Sequence, residues 1–228
     1  MFAAMTLCIK LVSDTIPLGQ VVFFRSAFAL IPLVVFLYAR REFPAGLSTK
    51  RPLGHLLRSG FGTIGMFTSF AAIARLPLAD ATLVNYVTPL LTALLGGLML
   101  GETLTRSRYT GIFLGMAGVL VLTLPQFSGE QIDTVRLAGY AFGLVSAGFS
   151  ALAMIQIRRL GTTESPGAIA FYFVMVAMLA SLPSAGSWAS PSLSEYALLI
   201  TAGIFGGLAH IAMTLAYRYA EVSLLAPF

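Results

Sequence analysis

Seven stretches of this sequence run for 17 to 22 residues with few charges: Leu18–Ala39, Leu57–Arg75, Ala81–Leu100, Tyr109–Pro125, Leu137–Ile157, Pro166–Pro183 and Tyr196–Tyr217. An eighth, Met1–Val12, is shorter. A helix that crosses a bilayer needs about 20 apolar residues, because each residue advances it by about 1.5 Å. Lipid offers no partner to an exposed peptide group, so such a chain has two ways to span, helices or a closed barrel. The runs are rich in Leu, Ala, Val and Gly and lack the roughly ten-residue alternation of barrel strands. The expected fold class is therefore an all-α polytopic membrane protein, with seven segments long enough to span.

Composition closes off other classes. Only 10% of residues are charged, against about 25% in soluble domains. The net charge of +5 is not a nucleic-acid footprint, because the Lys and Arg residues lie between apolar runs rather than on one soluble face. A single cysteine, Cys8, excludes an internal disulfide and a Cys-rich metal site. Lys10 interrupts the first run and no small-residue cleavage site follows it, which argues against a signal peptide. The connections are short and polar, and none could hold a soluble domain. Their charges are lopsided. The side facing the loop after the second segment carries Arg40, Arg41, Lys50, Arg51, Arg58, Arg106, Arg108, Arg158, Arg159 and Arg218, and the other side carries Arg75 and Arg136 with Lys10 near it. The positive-inside bias places the first side in the cytoplasm.

The chain also repeats itself weakly. Displaced by 141 residues, Gly62 falls on Gly203, Gly65 on Gly206, Ala71 on Ala212, Asp80 on Glu221 and Leu83 on Leu224. Displaced by 149, Lys10 meets Arg159 and Pro17 meets Pro166. Segments one to three thus map onto six to eight. A unit of five helices is odd in number, so a second copy must lie inverted in the membrane, a common plan in secondary transporters. The domain boundaries expected are residues 1–125 and 126–228.

The corner LPLADATLVNYVTP, followed by LLGGLMLGETLTRSRYTGIFLGMAGVLVL, resembles the drug/metabolite transporter superfamily in its EamA-domain branch. The features that carry the resemblance are Pro89 inside the fourth segment, the Gly101–Glu102 ending, and Gly111, Gly115 and Gly118 in the fifth. RYAEVSLLAPF resembles the matching corner of a second domain. The resemblance implies ten helices in two inverted five-helix bundles, both termini in the cytoplasm of a bacterial inner membrane, and transport of a small organic solute that is amino-acid-like, nucleoside- or S-adenosylmethionine-like, or vitamin-like. About eight helices are present here, so the expectation is a longer natural protein. The partners implied are that solute and the lipid bilayer, with no nucleic acid and with a homodimer left open. No cofactor and no metal are implied. Glycines at fourth-residue spacing, Gly111 with Gly115 and Gly139 with Gly143, serve close helix packing.

Polar residues inside apolar segments carry the functional expectation. Arg25 lies eight residues past Pro17, about 12 Å deep. Such a charge faces the bundle interior or a cavity, snorkels to the surface, or pairs with Asp14 or Asp80. In a cavity it would hold a carboxylate or other anionic group. Asn85, Tyr86 and Thr88 lie one to two turns into the fourth segment. His210 sits near the middle of the eighth and matches Ser69 across the repeat. These six residues form the candidate substrate site, with hydrogen bonding between helices as the other role open to them. Asp80 and Glu221 fall near helix N-termini, where they would cap the helix or act in gating. The chain contains no phosphate-binding G-x-x-x-x-G-K-[ST] loop, no H-E-x-x-H and no G-x-S-x-G. A secondary transporter or facilitator working by alternating access is the first function class. An intramembrane enzyme and a non-transporting membrane subunit are the others.

Overall fold

A computed structural model describes residues 1–124 and 133–219. Over these residues the chain forms α1 (Phe2–Val12), α2 (Leu18–Ala39), α3 (Pro52–Arg75), α4 (Leu78–Asn85), α5 (Val87–Leu100), α6 (Arg106–Thr123), α7 (Thr134–Leu160), α8 (Pro166–Ser181) and α9 (Leu193–Tyr219). Among the described residues six spans are long and apolar enough to cross a bilayer: α2, α3, α4 with α5, α7, α8 with the 3-10 turn that extends it, and α9. The chain is a multi-pass integral membrane protein. The fifth expected segment forms α6, whose described apolar stretch runs over Tyr109–Val121. The proposed boundary at residues 125 and 126 lies outside the described residues, as does Glu221.

Local chemistry sets the ends. Asp133 caps α7 by accepting from the N–H groups of Val135 and Arg136. Ser165 accepts from Ala168 N–H at 3.1 Å and Pro166 opens α8, where its missing N–H costs nothing. Gly101 ends α5 in the left-handed region at φ 69°, which a side chain would disfavour. Cations reach the other ends. Lys10 Nζ donates to the carbonyls of Ile73 (2.9 Å) and Leu76 (3.1 Å) at the end of α3. Arg158 Nη1 donates to Tyr217 and Arg218 at the end of α9, both at 3.0 Å, and Arg159 Nη2 to Met99 at the end of α5, also at 3.0 Å. Carbonyls that no helical N–H can reach are thereby satisfied, with a charge of the sign the helix dipole favours.

The bundle closes on small residues. α2 packs on α8 and α9, α3 on α7 and α8, and α1 on α9. Gly207 lies so close to α2 that a Cβ there would meet the Pro32 ring at 2.6 Å and the Ala29 carbonyl at 2.7 Å. The spaced glycines divide. Gly139 and Gly143 sit against Leu76 and Val84, as packing requires, whereas Gly111 faces open space. Phe113 and Leu114 beside it are exposed, as a lipid-facing helix surface would be.

The fourth segment is not one helix. It breaks at Tyr86, whose N–H turns back three residues to the Leu83 carbonyl at 3.1 Å. Pro89 explains the break, since it has no N–H for the Asn85 carbonyl four residues earlier.

Candidate substrate site

The break opens onto a cavity of two lobes that share Phe2, Thr82, Asn85 and Tyr86. One lobe, about 430 Å³, runs between α1, α3, α4 and α7 and includes Ser69 and Ser146. The other, about 580 Å³, runs along α5 and α9 and includes Thr88, Thr92, Met213 and Tyr217. Among the described residues neither lobe is lined by an ionisable side chain other than tyrosine. Asn85 and Tyr86 form the wall common to both lobes, with Ser69 on the first lobe and Thr88 on the second. Thr88 Oγ1 donates to Asn85 Oδ1 at 3.3 Å, which leaves the Asn85 amide N–H₂ for other partners. Tyr86 is 60% exposed.

His210 stands behind this wall. Its ring lies edge-on to Phe2 on the cavity side (centroids 5.5 Å apart) and edge-on to Phe173 of α8 on the other (4.8 Å). Its Nδ1 is buried with no hydrogen-bond partner. Beyond Phe173 lie two arginines. Arg58 places its guanidinium carbon 4.1 Å from the centre of the Phe173 ring, and Arg25 places its own at 6.0 Å. Each is 1% exposed. Arg25 Nη2 reaches only the Met5 sulfur, at 3.6 Å. Among the described residues Arg25 Nε and Nη1 and Arg58 Nε have no partner, and neither do the buried hydroxyls of Ser26, Ser59 and Thr63. Two glycines make the room. A Cβ at Gly206 would lie 2.8 Å from Arg25 Nη2, and one at Gly62 would collide with Arg58 Nη1.

Three expectations are corrected here. Arg25 is paired with neither Asp14 nor Asp80, it does not snorkel, and it does not line the cavity. Arg58 is not a loop charge of the cytoplasmic side but part of the bundle interior. Asp80 lies in the first turn of α4 but caps nothing, because Pro77 holds the cap position without a side-chain bond. Instead Asp80 accepts from Tyr140 Oη of α7 at 2.9 Å.

A third cavity, about 1040 Å³, opens at the end that carries the basic loops and is lined by Lys50, Arg51, Arg158 and Arg159. Its size does not make it the better site. Arg51 donates to the Arg159 carbonyl at 3.2 Å, and Arg158 and Arg159 cap helices, so these charges are already engaged. Beside it His55 Nε2 and Glu164 Oε2 stand 3.4 Å apart, and the Lys50 N–H donates to Glu164 Oε1 at 3.3 Å. Sequence reasoning missed both groups. Pro52 is the signal that could have recovered Arg58. A helix opened at Pro52 rather than Leu57 puts Arg58 about 9 Å inside, at about 1.5 Å per residue.

The EamA-like transporter family matches residues 1–124. The chain belongs to this family. The pseudopaline exporter of Pseudomonas aeruginosa is 32% identical over 99% of this chain and 77% of its own length. The S-adenosylmethionine uptake transporter of Rickettsia bellii is 28% identical over 90% of the chain and 67% of its own. A solved crystal structure superposes with a TM-score of 0.74 at 23% identity, covering 99% of this chain and 80% of that one, and shows the same fold. Metabolite transport is therefore the function class of this EamA-like chain.

Proposed function

We propose that the chain is a secondary transporter for a small organic metabolite, that the solute binds in the two-lobed cavity at the broken helix, and that Ser69, Asn85, Tyr86 and Thr88 contact it. The broken helix carries this reading. In a membrane, non-helical backbone is tolerated where it lines a cavity, and interrupted helices are where transporters expose polar backbone to a solute. The Asn85 carbonyl, deprived of its helical donor by Pro89, lies at that place. The cavity holds amide and hydroxyl groups but no paired acid and base, which favours binding and release over intramembrane catalysis.

The same reading includes two inverted repeats. Lys10 caps α3 through Leu76 while Arg158 caps α9 through Tyr217, and the two accepting carbonyls are 141 residues apart, the displacement of the sequence repeat. α1 packs on α9 as α7 packs on α3. Substrate classes follow from the relatives: one exports pseudopaline and another takes up S-adenosylmethionine, so an amino-acid-like or nucleoside-like metabolite is proposed here.

Proteoliposomes loaded with an aqueous bacterial metabolite extract test the reading, with efflux followed by mass spectrometry. A small set of solutes should leave, and Asn85→Leu should slow them about tenfold or more, the effect of one lost hydrogen bond to a charged or polar solute. Efflux no faster than from protein-free liposomes would reject it.

A further inference from the structure

We infer that Arg25 and Arg58 form one receptor for a carboxylate of the transported solute, with His210 between it and the cavity. The inference deepens the transport reading and rests on it. Two guanidinium groups lie 1% exposed on one aromatic ring, among the unpartnered hydroxyls of Ser26, Ser59 and Thr63 and the unpartnered Nδ1 of His210. No Asp or Glu among the described residues forms an ion pair with either arginine. Burying a cation costs several kcal/mol even after relaxation, and a like charge nearby adds to the cost. The partly buried cations Lys10 and Arg158 are each supplied with two carbonyl acceptors, and these more deeply buried arginines are not. They are a set of donors aimed at a missing anion, and planar guanidinium forks match the two oxygens of a carboxylate.

The placement fits a solute with two ends. The cavity has no charged side chain among its described lining residues, so it suits an uncharged body. Phe2 and His210, in ring contact with each other, and Phe173 beyond them stand between it and the arginines. A carboxylate that passes between α1 and α9 therefore meets Arg58 and Arg25 while the rest of the molecule stays against Asn85 and Tyr86. Gly62 and Gly206 are needed because any side chain there would occupy the space of the guanidiniums.

Thermal melting of the purified protein tests this with simple probe anions at matched ionic strength: chloride, inorganic phosphate and succinate. Succinate should raise the Tm above its value in chloride, with an apparent affinity at least about tenfold weaker in Arg25→Gln and in Arg58→Gln, since a charge-assisted pair is lost. Arg58→Lys should recover only part of the affinity. Without any added anion, both glutamine variants should melt at or above the wild-type temperature, because each removes an uncompensated charge. Four results would overturn the receptor: equal melting in all three anions, a succinate response that survives in both variants, a response to phosphate alone, or variants that melt lower in the absence of anion. Efflux of uncharged solutes alone, with no succinate response, would reject the receptor and leave the transport reading standing. A succinate response without any efflux would reject the transport reading, and with it the receptor's role in transport, leaving an anion site alone.

Discussion

Lys10 and Arg25 are both cations of the first two helices, and their surroundings differ completely. Lys10 is matched to two carbonyls within 3.1 Å at the end of α3, and Arg158 is matched likewise at the end of α9. Arg25 and Arg58 lie deeper in the bundle and have a thioether and a benzene ring for company. Near the membrane surface a helix end always offers unsatisfied carbonyls, so a cation there stabilises the fold. Mid-helix carbonyls are already taken, so a cation there has no acceptor unless the protein or a ligand supplies one. The end charges are structural. The two interior charges are the ones that the proposed receptor explains.

The largest expected difference follows from that contrast. Arg25→Ala should leave the protein folded while efflux of carboxylate-bearing solutes falls by about a hundredfold, the scale of one or two lost charge-assisted bonds. Lys10→Ala should do the opposite, costing about 1–3 kcal/mol of stability through two unsatisfied carbonyls while the folded fraction still transports. Arg158→Ala should destabilise by a similar amount, because Arg158 also serves two carbonyls at a helix end. Tm and efflux measured on the three variants check this, and a loss of folding in Arg25→Ala comparable to that in Lys10→Ala would erase the contrast. The smallest expected effect is that of Asp80→Asn. The amide oxygen can still accept from Tyr140, so the Tm should fall by no more than about 1 kcal/mol implies. A large drop would make Asp80 an essential charge rather than a hydrogen-bond acceptor.

The sequence made some of this legible and concealed the rest for physical reasons. Spanning helices follow from length and hydropathy alone, and α2, α3, α7, α8 and α9 could be drawn within a few residues. Pro89 marked the disturbed segment, yet the break itself falls three residues earlier, at Tyr86. Asn85, Tyr86 and Thr88 stood out as polar residues in an apolar run. Arg58 did not, because hydropathy placed the start of its helix at Leu57 and so left the arginine at the membrane edge. The shared ring of Phe173, more than 100 residues further on, is what unites Arg58 with Arg25. Asp80 shows the same limit. Its position in the first turn suggested a cap, and only the fold reveals Tyr140 above it.

Whether Arg25 and Arg58 act as one receptor is decided most directly by a double-mutant cycle on succinate affinity, measured by thermal melting of wild type, Arg25→Gln, Arg58→Gln and the double variant. If both guanidiniums grip the same anion, losing either should forfeit most of the binding, and the double variant should bind little worse than the weaker single one. The coupling should exceed about 1 kcal/mol, within the range found for residues that share a partner. Effects of the two substitutions that simply add would mean that the arginines serve separate ends, and would contradict the account.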